Sequence, residues 1–200
     1  MRVLRFSLAL ILLASLTGCL SSVSGASGPP EKVAARTDVE YDDFDNVLHL
    51  RGPWFHRGLG VTYQIRATMS KTDGSAIYSV YVEDEWFVNN RGGHDEDGKN
   101  PGHGFAGNAR NFYTARDPGG QRFEVLSSGT RFDGCRDVFC YYEEDFAILL
   151  PDGYLEAVGG EGLRLRASSE AKIYIDLKIP SDYIAGILMR VAEERAKLAR

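Results

Sequence analysis

Long apolar runs, cysteine and net positive charge are all scarce in this 200-residue sequence, which has three Cys and a formal net charge of −5. The main apolar run covers only residues 6–16. Because a membrane-spanning helix needs about 20 apolar residues, no permanent transmembrane helix is expected. An acidic chain lacks the basic footprint that a phosphate backbone requires, so nucleic acid is not an expected partner. The same charge disfavours electrostatic docking on anionic lipid.

Motifs for common catalytic and cofactor chemistry are also absent. The sequence contains no Gly-x-Ser-x-Gly nucleophile motif and no Gly-rich segment placed between a strand and a helix as a phosphate loop would be. We therefore expect no cofactor, and no residue is assigned a catalytic role by motif.

What is present begins at the N terminus, where Arg2 and Arg5 precede the apolar run, a pattern typical of a secretory signal. Leu16-Thr17-Gly18-Cys19 follows. This tetrapeptide resembles the lipobox of bacterial lipoproteins, in which a peptidase cuts before the cysteine and the cysteine sulfur receives a diacylglycerol. The resemblance implies a signal peptide at residues 1–18, lipidation of Cys19 and anchoring to a membrane through acyl chains.

The residues after the lipobox add to this expectation. The residue after Cys19 is Leu20 rather than an Asp. In Gram-negative lipoproteins an Asp there favours retention at the inner membrane, so the resemblance implies the outer membrane, with the protein facing the periplasm. Residues 19–37 are rich in Ser, Gly, Ala and Pro, which predicts a flexible tether. Residues 38–200 are then long enough for a single domain.

Cys135 and Cys140 are the two cysteines that remain if Cys19 carries lipid. In an oxidising compartment such a pair is expected to form a disulfide. The pair lies between two β-patterned runs, so the bridge would close the neck of a hairpin loop. A metal site would need further ligands nearby, and a redox pair would favour a shorter spacing before a helix.

Apolar and polar residues alternate along much of the chain from about residue 45, most clearly in residues 172–179. About eight such runs, separated by turns such as Thr72-Asp73-Gly74, predict an all-β fold, either an antiparallel β-sandwich or a partly open barrel. After Pro180 the period becomes helical, which predicts one C-terminal α-helix at about residues 181–198 with Ser181 as its cap. This helix either closes one side of the sandwich or binds a partner.

The loop around His94 is the first candidate for metal binding. Asp95 and Asp97 occupy two ligand positions of a calcium loop, but the first ligand and the bidentate Glu of that motif are absent. His94 and His103 are alternative ligands for zinc or copper, together with Asp95 or Asp97. A solvated surface loop without metal is the competing interpretation.

Glu144 is the candidate acid/base residue. It shares a strand face with Phe146, whereas Glu143 and Asp145 take the other face. We therefore predict that Glu144 is partly buried near a sheet edge and accepts backbone or Arg hydrogen bonds, with catalysis as the alternative. Five further residues are apolar enough to be predicted as core: Trp54, Phe55, His56, Trp86 and Phe87.

Several spaced motifs resemble an uncharacterised family of proteobacterial envelope lipoproteins. They are Phe112-Tyr113-x-Ala115, Gly119-Gly120, Cys135-x₄-Cys140, Tyr142-x-Glu144 and Ile179-Pro180-x-x-Tyr183-Ile184-x-Gly186. The resemblance implies an envelope location and a terminal helix that begins at a proline, and it implies no activity.

Together these patterns predict a membrane-tethered, non-enzymatic β-sandwich that faces the periplasm and binds a protein, glycan or lipid component of the envelope. One alternative is a hydrolase-like envelope enzyme, or a metal-binding protein, that uses Glu144 or the loop from His94 to Asp97. A purely structural lipoprotein is the third possibility.

Overall fold

The computed structural model describes residues 26–57, 60–89, 109–137 and 139–200. Cys19 and the rest of the lipobox lie outside the described residues. The described strands are β1 (Asp38–Asp42), β2 (Val47–Arg51), β3 (Phe55–Arg57), β4 (Val61–Ser70), β5 (Ala76–Asn89), β6 (Phe112–Arg116), β7 (Arg122–Arg136), β8 (Phe139–Leu150), β9 (Leu163–Ser169) and β10 (Tyr174–Ile179). The described helices are α1 (Pro30–Ala35), α2 (Tyr154–Val158) and α3 (Ser181–Leu198).

The strands form one antiparallel sheet in the order β1-β2-β4-β5-β8-β7-β6-β9-β10, with β3 paired to β4. Strand β7 joins two halves, because its first residues pair with β6 and the remainder pairs with β8. The halves curl toward each other, so that Phe112 stacks on Phe146 with ring centroids 4.5 Å apart. On the opposite flank the Tyr63 hydroxyl donates to the carbonyl oxygen of Lys178 at 2.9 Å. The sheet is not closed, and the predicted all-β, sandwich-like fold is confirmed.

The core follows the predicted alternation. In β8, Phe146, Ile148 and Leu150 are buried, and in β9 the leucines at 163 and 165 are buried while the arginines between and after them are exposed. Each fully buried large apolar side chain stabilises the fold by about 1.5–3 kcal/mol. Two strands were not predicted from the alternation of apolar and polar residues. Strand β1 is a largely exposed, acidic edge strand, and β3 has only three residues.

The C-terminal helix was predicted at its observed place, and it closes one side of the sandwich. Tyr183, Ile184, Ile187 and Val191 are buried, and the Tyr183 hydroxyl donates to the carbonyl oxygen of Pro53 at 2.9 Å. The predicted cap is wrong. Pro180 occupies the N-cap position without a side-chain hydrogen bond, and Ser181 is the first helical residue. The extended backbone of Pro180 directs the chain into the helix, so the helix begins one residue earlier than the predicted cap requires.

The predicted tether at residues 19–37 is too long, since its last third is folded. Residues 30–35 form α1, in which Val33 and Ala34 are buried. Helix α1 packs against α3 at Gly186, where an added Cβ would lie 2.5 Å from the Cβ of Val33. Composition did not predict this helix because the segment contains few apolar residues. Burial of Val33 is sufficient to dock the helix, since Gly186 on α3 leaves room for the valine side chain.

The disulfide is present between Cys135 and Cys140, whose Cα atoms are 4.0 Å apart and directly opposite each other in β7 and β8. It staples the end of a three-stranded arm, which we define as residues 85–89, 131–136 and 139–143. The arm continues past β4, whose first residue, Val61, pairs with Asp84.

The arm explains why the predicted aromatic core is wrong in part. Phe87 lies in the arm and is 54% exposed, and His56 in the short strand β3 is also exposed. Trp54, Phe55 and Trp86 are only partly buried. Trp86 lies in the arm and Trp54 lies in the loop before β3, so neither is fully buried, whereas Phe55 packs on Tyr183 of α3 with ring centroids 4.6 Å apart.

Candidate functional site

The register of β5 and β8 places two buried carboxylates opposite each other. Asp84 pairs with Glu144, and both residues have no exposed surface. Sequence reasoning found Glu144 but missed Asp84. The signal was available, because Asp84 continues the alternation of Tyr78, Val80 and Val82 and so falls on the buried face.

Glu144 is held by four hydrogen-bond donors. Its carboxylate accepts from the backbone N–H groups of Asn111 at 2.8 Å and Phe112 at 2.7 Å. It also accepts from the hydroxyls of Ser127 at 2.6 Å and Thr130 at 3.1 Å. The predicted acceptance of backbone hydrogen bonds is therefore confirmed. The predicted place near a sheet edge is wrong, because β8 lies between β5 and β7.

Asp84 is paired with a single cation. The Arg110 Nη1 donates to Asp84 Oδ2 at 2.5 Å, and the two side chains are 19% and 1% exposed. Asp84 Oδ1 and Arg110 Nε are buried and find no hydrogen-bond partner among the described residues. Burial raises the pKa of Asp84 above its ordinary value, the Arg110 guanidinium opposes this rise, and the negative charge of Glu144 adds to it.

Arg110 also contacts an aromatic stack. Its guanidinium carbon lies 4.2 Å from the centroid of the Trp86 ring, a distance at which cation–π attraction contributes about 0.5–2 kcal/mol. Trp86 in turn stacks on Tyr142 with centroids 5.7 Å apart and an interplanar angle of 15°. No sequence signal pointed to Arg110, because it lies outside the periodic segments.

A cleft of about 490 Å³ opens at the base of the arm, next to this ion pair. We call it the aromatic cleft. Its side chains fall into two main classes, aromatic rings and carboxylates, with Arg110 as the one cation among the described lining residues. The aromatic residues are Trp86, Phe87, Tyr141 and Tyr142, and the acidic residues are Asp84, Glu85, Asp133 and Glu143. Because successive strand residues point to opposite faces, Trp86 and its partner Tyr142 lie on the face of Asp84, whereas Phe87 and its partner Tyr141 lie on the other face.

The geometry separates the roles of the two buried acids. Glu144 does not line the aromatic cleft, and its two oxygens already accept four hydrogen bonds, which fits a structural role. Asp84 is among the lining residues of the cleft, and one of its oxygens has no hydrogen-bond partner in the described ranges. What the cleft offers a ligand is therefore flat apolar ring surface flanked by acceptor oxygens, the composition usual in small-molecule and sugar sites.

The other candidate ligands, His94, Asp95, Asp97 and His103, lie outside the described residues. Within the described ranges, no group of three or more His, Cys, Asp or Glu side chains is arranged to hold a metal ion. Among the described helices, none combines the length and the apolar character that crossing a membrane demands.

Comparison with known proteins adds no relative to this picture. No protein-family model, no curated protein and no solved structure matches the chain.

Proposed function

We propose that this chain is a lipid-anchored protein of the bacterial envelope, and that its folded domain is a non-enzymatic module which binds a glycan in the aromatic cleft. The proposed address rests on the sequence from Leu16 to Cys19. The proposed activity rests on one observation, the cleft of about 490 Å³ whose lining residues are mainly aromatic and acidic.

A sugar suits both parts of this lining. A pyranose ring has an apolar C–H face that packs on flat aromatic rings, and its edge carries hydroxyls that donate hydrogen bonds. Phe87 and Tyr141 offer exposed ring surface on one face of the arm, and the partly buried Trp86 offers a ring on the other face. Glu85 and Asp133 make no ion pair among the described residues. Carboxylate oxygens of this kind accept charge-assisted hydrogen bonds from sugar hydroxyls.

The hydrolase-like alternative has less support. Such an enzyme needs two carboxyl groups in different environments that both reach the substrate. Glu144 is occupied by four donors and does not line the cleft. The geometry therefore does not support Glu144 as the acid or base of a hydrolase.

The two tryptophans of the chain provide a direct test. Trp86 lines the cleft, whereas Trp54 packs against Tyr81 elsewhere on the sheet. In Trp54→Phe, Trp86 is the sole tryptophan, and we expect N-acetylglucosamine oligomers or solubilised peptidoglycan fragments to change its fluorescence. In Trp86→Phe, the same additions are expected to leave the fluorescence of Trp54 unchanged.

A charge-matched pair of double variants tests the role of the carboxylates. Glu85→Gln with Asp133→Asn is expected to weaken binding at least fivefold. The control, Glu83→Gln with Asp145→Asn, removes the same charge from a cross-strand pair outside the cleft and is expected to change binding less than twofold. A response to tetralysine but to no glycan would replace the proposal with a basic peptide ligand. Equal responses of the two tryptophans would reject the cleft as the site.

A further inference from the structure

The outer face of β6, β9 and β10 carries a row of cations on a chain whose formal net charge is −5. In the register of the sheet, Arg116 lies opposite both Arg122 and Arg166, and Arg164 lies opposite Lys178. Like charges placed directly opposite each other destabilise a sheet. The pairs of Arg116 with Arg122 and of Arg164 with Lys178 therefore lower the stability of the sheet instead of adding to it.

Few carboxylates neutralise these cations. Asp176 is engaged by Arg166, whose Nε and Nη2 donate to its two oxygens at 2.5 Å and 2.9 Å. Arg116, Arg164 and Lys178 make no ion pair in the part of the chain that the structure describes. The positive charge of this face is therefore largely uncompensated.

A groove of about 340 Å³ lies between these side chains, and we call it the basic groove. Its charged lining comprises four cations, Arg116, Arg164, Arg166 and Lys178, against the two carboxylates Asp117 and Asp176.

The β6–β7 turn forms one wall of the basic groove and is held in place. Asp117 accepts from the backbone N–H of Gln121 at 2.9 Å and from the hydroxyl of Tyr154 in α2 at 2.7 Å. The site is thus partly preorganised.

We propose that the basic groove binds a phosphate group, carried either by a lipid headgroup or by a soluble molecule. Its cations stand on three adjacent strands, an arrangement that suits the tetrahedral oxygens of phosphate better than the two oxygens of a planar carboxylate. Guanidinium groups bind phosphate oxygens through paired, charge-assisted hydrogen bonds. A long polyanion such as nucleic acid is disfavoured, because the acidic remainder of the chain repels it.

The basic groove shares no lining residue with the aromatic cleft. Its test is therefore independent of glycan binding, and either site can fail without the other. The net charge of the chain disfavoured anionic lipid as a partner. The basic groove revises this expectation, because it gathers several cations on one face of the sheet.

Calorimetric titration of the full chain in a non-ionic detergent tests the proposal. The probes are inorganic phosphate, glycerol 3-phosphate and dihexanoyl phosphatidylglycerol. We expect binding that Arg164→Gln with Lys178→Gln weakens at least tenfold. This double variant removes a cross-strand repulsion, so it is expected to fold at least as well as the wild type. The control, Arg51→Gln with Lys197→Gln, removes two exposed cations that lie outside the groove and is expected to change binding less than twofold.

The outcomes separate the two sources of phosphate. At least tenfold tighter binding of the short-chain lipid than of glycerol 3-phosphate identifies a lipid headgroup, and the reverse order identifies a soluble molecule. The proposal is overturned if none of the three probes binds at millimolar concentration, if the control variant loses as much affinity as the groove variant, or if malonate binds as tightly as phosphate.

Discussion

Glu144 and Asp84 are neighbouring buried carboxylates, and the loss of water around them is compensated in two different ways. Glu144 accepts four hydrogen bonds, so the donors that surround it replace the water it has lost. In the part of the chain that the structure describes, Asp84 pairs with one cation, and its other oxygen has no partner. The first arrangement fastens the start of β6 and the irregular part of β7 to β8. The second leaves a carboxylate whose pKa burial raises above its ordinary value.

Glu144→Gln is expected to destabilise the fold by about 1–3 kcal/mol, because the new amide nitrogen would face a backbone N–H that is itself a donor. Urea unfolding measures the change in unfolding free energy. The slope of this free energy against urea concentration, the m-value, is expected to stay the same. The matched control is Glu143→Gln on the same strand. Its side chain is 24% exposed and pairs with Arg131 on the outer face, so a loss below about 1 kcal/mol is expected. Equal losses would contradict a special role for Glu144.

Asp84→Asn tests the raised pKa of Asp84. Because burial raises the pKa in the folded state above the ordinary value of 3.8, the folded protein holds this proton more tightly than the unfolded chain does. The wild type is therefore stabilised relative to the variant at low pH, and it loses this advantage as the pH rises through the raised pKa. Urea unfolding from pH 3 to pH 7 measures the difference in unfolding free energy between the wild type and the variant. The contributions of the other carboxylates are the same in both proteins and cancel in this difference. A relative stability that increases with pH would contradict the assignment.

Among the elements, the two helices α1 and α3 form a contact that depends on one missing side chain. An added Cβ at Gly186 would lie 2.6 Å from the backbone oxygen of Pro30, as well as close to Val33. A glycine in the middle of a helix costs about 1 kcal/mol relative to alanine. Its presence in α3 is explained by the close approach of α1.

Gly186→Ala is therefore expected to destabilise the domain by about 1–2 kcal/mol, because the steric clash outweighs the gain in helix propensity. Hydrogen exchange at residues 32–37 is expected to accelerate, since α1 is displaced while the sheet persists. The control is Ala185→Ser at the neighbouring exposed position, for which little change is expected. Increased stability with unchanged exchange would show that α1 does not pack as described.

The arm is the second element with its own behaviour. It joins the ends of β5, β7 and β8 beyond the edge of β4, and the disulfide closes it. Its aromatic side chains pack on one another, as Phe87 does on Phe139 at 5.2 Å between centroids. Among the described strands, no second sheet covers the exposed rings of the arm, and the arm forms one wall of the aromatic cleft.

For the whole molecule, the distribution of charge matters more than its sum. The chain is acidic overall, yet one face of the sheet carries the basic groove and the base of the arm carries an acidic, aromatic cleft. A module held near a membrane by a short N-terminal segment would present both sites within a limited distance of the bilayer.

Cys19→Ser tests the proposed attachment. We expect the wild type in the membrane fraction with an acylated N-terminal cysteine, and the variant without acyl chains and largely released from membranes. Fractionation with mass spectrometry of the N terminus measures both. The control is Cys135→Ser with Cys140→Ser, which removes the disulfide and is expected to leave the attachment unchanged. An unmodified full-length N terminus, or processing that globomycin does not affect, would contradict the proposal.

Much of the fold was predictable from alternation alone. Strands such as β4, β8 and β10 bury one face, and a period of two in the sequence records this directly. Strands β1 and β3 were missed because an exposed edge strand and a three-residue strand bury too little to leave a pattern. Helix α1 was missed because it is short and depends on Gly186, which is distant in sequence.

The sequence by itself determined the strand faces, the C-terminal helix, the cysteine pair and the buried side of Glu144, because these follow from local periodicity and residue type. Only the tertiary structure decided that Asp84 meets Glu144 and Arg110, that the arm leaves its aromatics exposed, and that unpaired cations gather beside a groove. These features depend on which strands become neighbours and in what register. That choice is made by the packing of the whole core, and no short segment of the chain contains it.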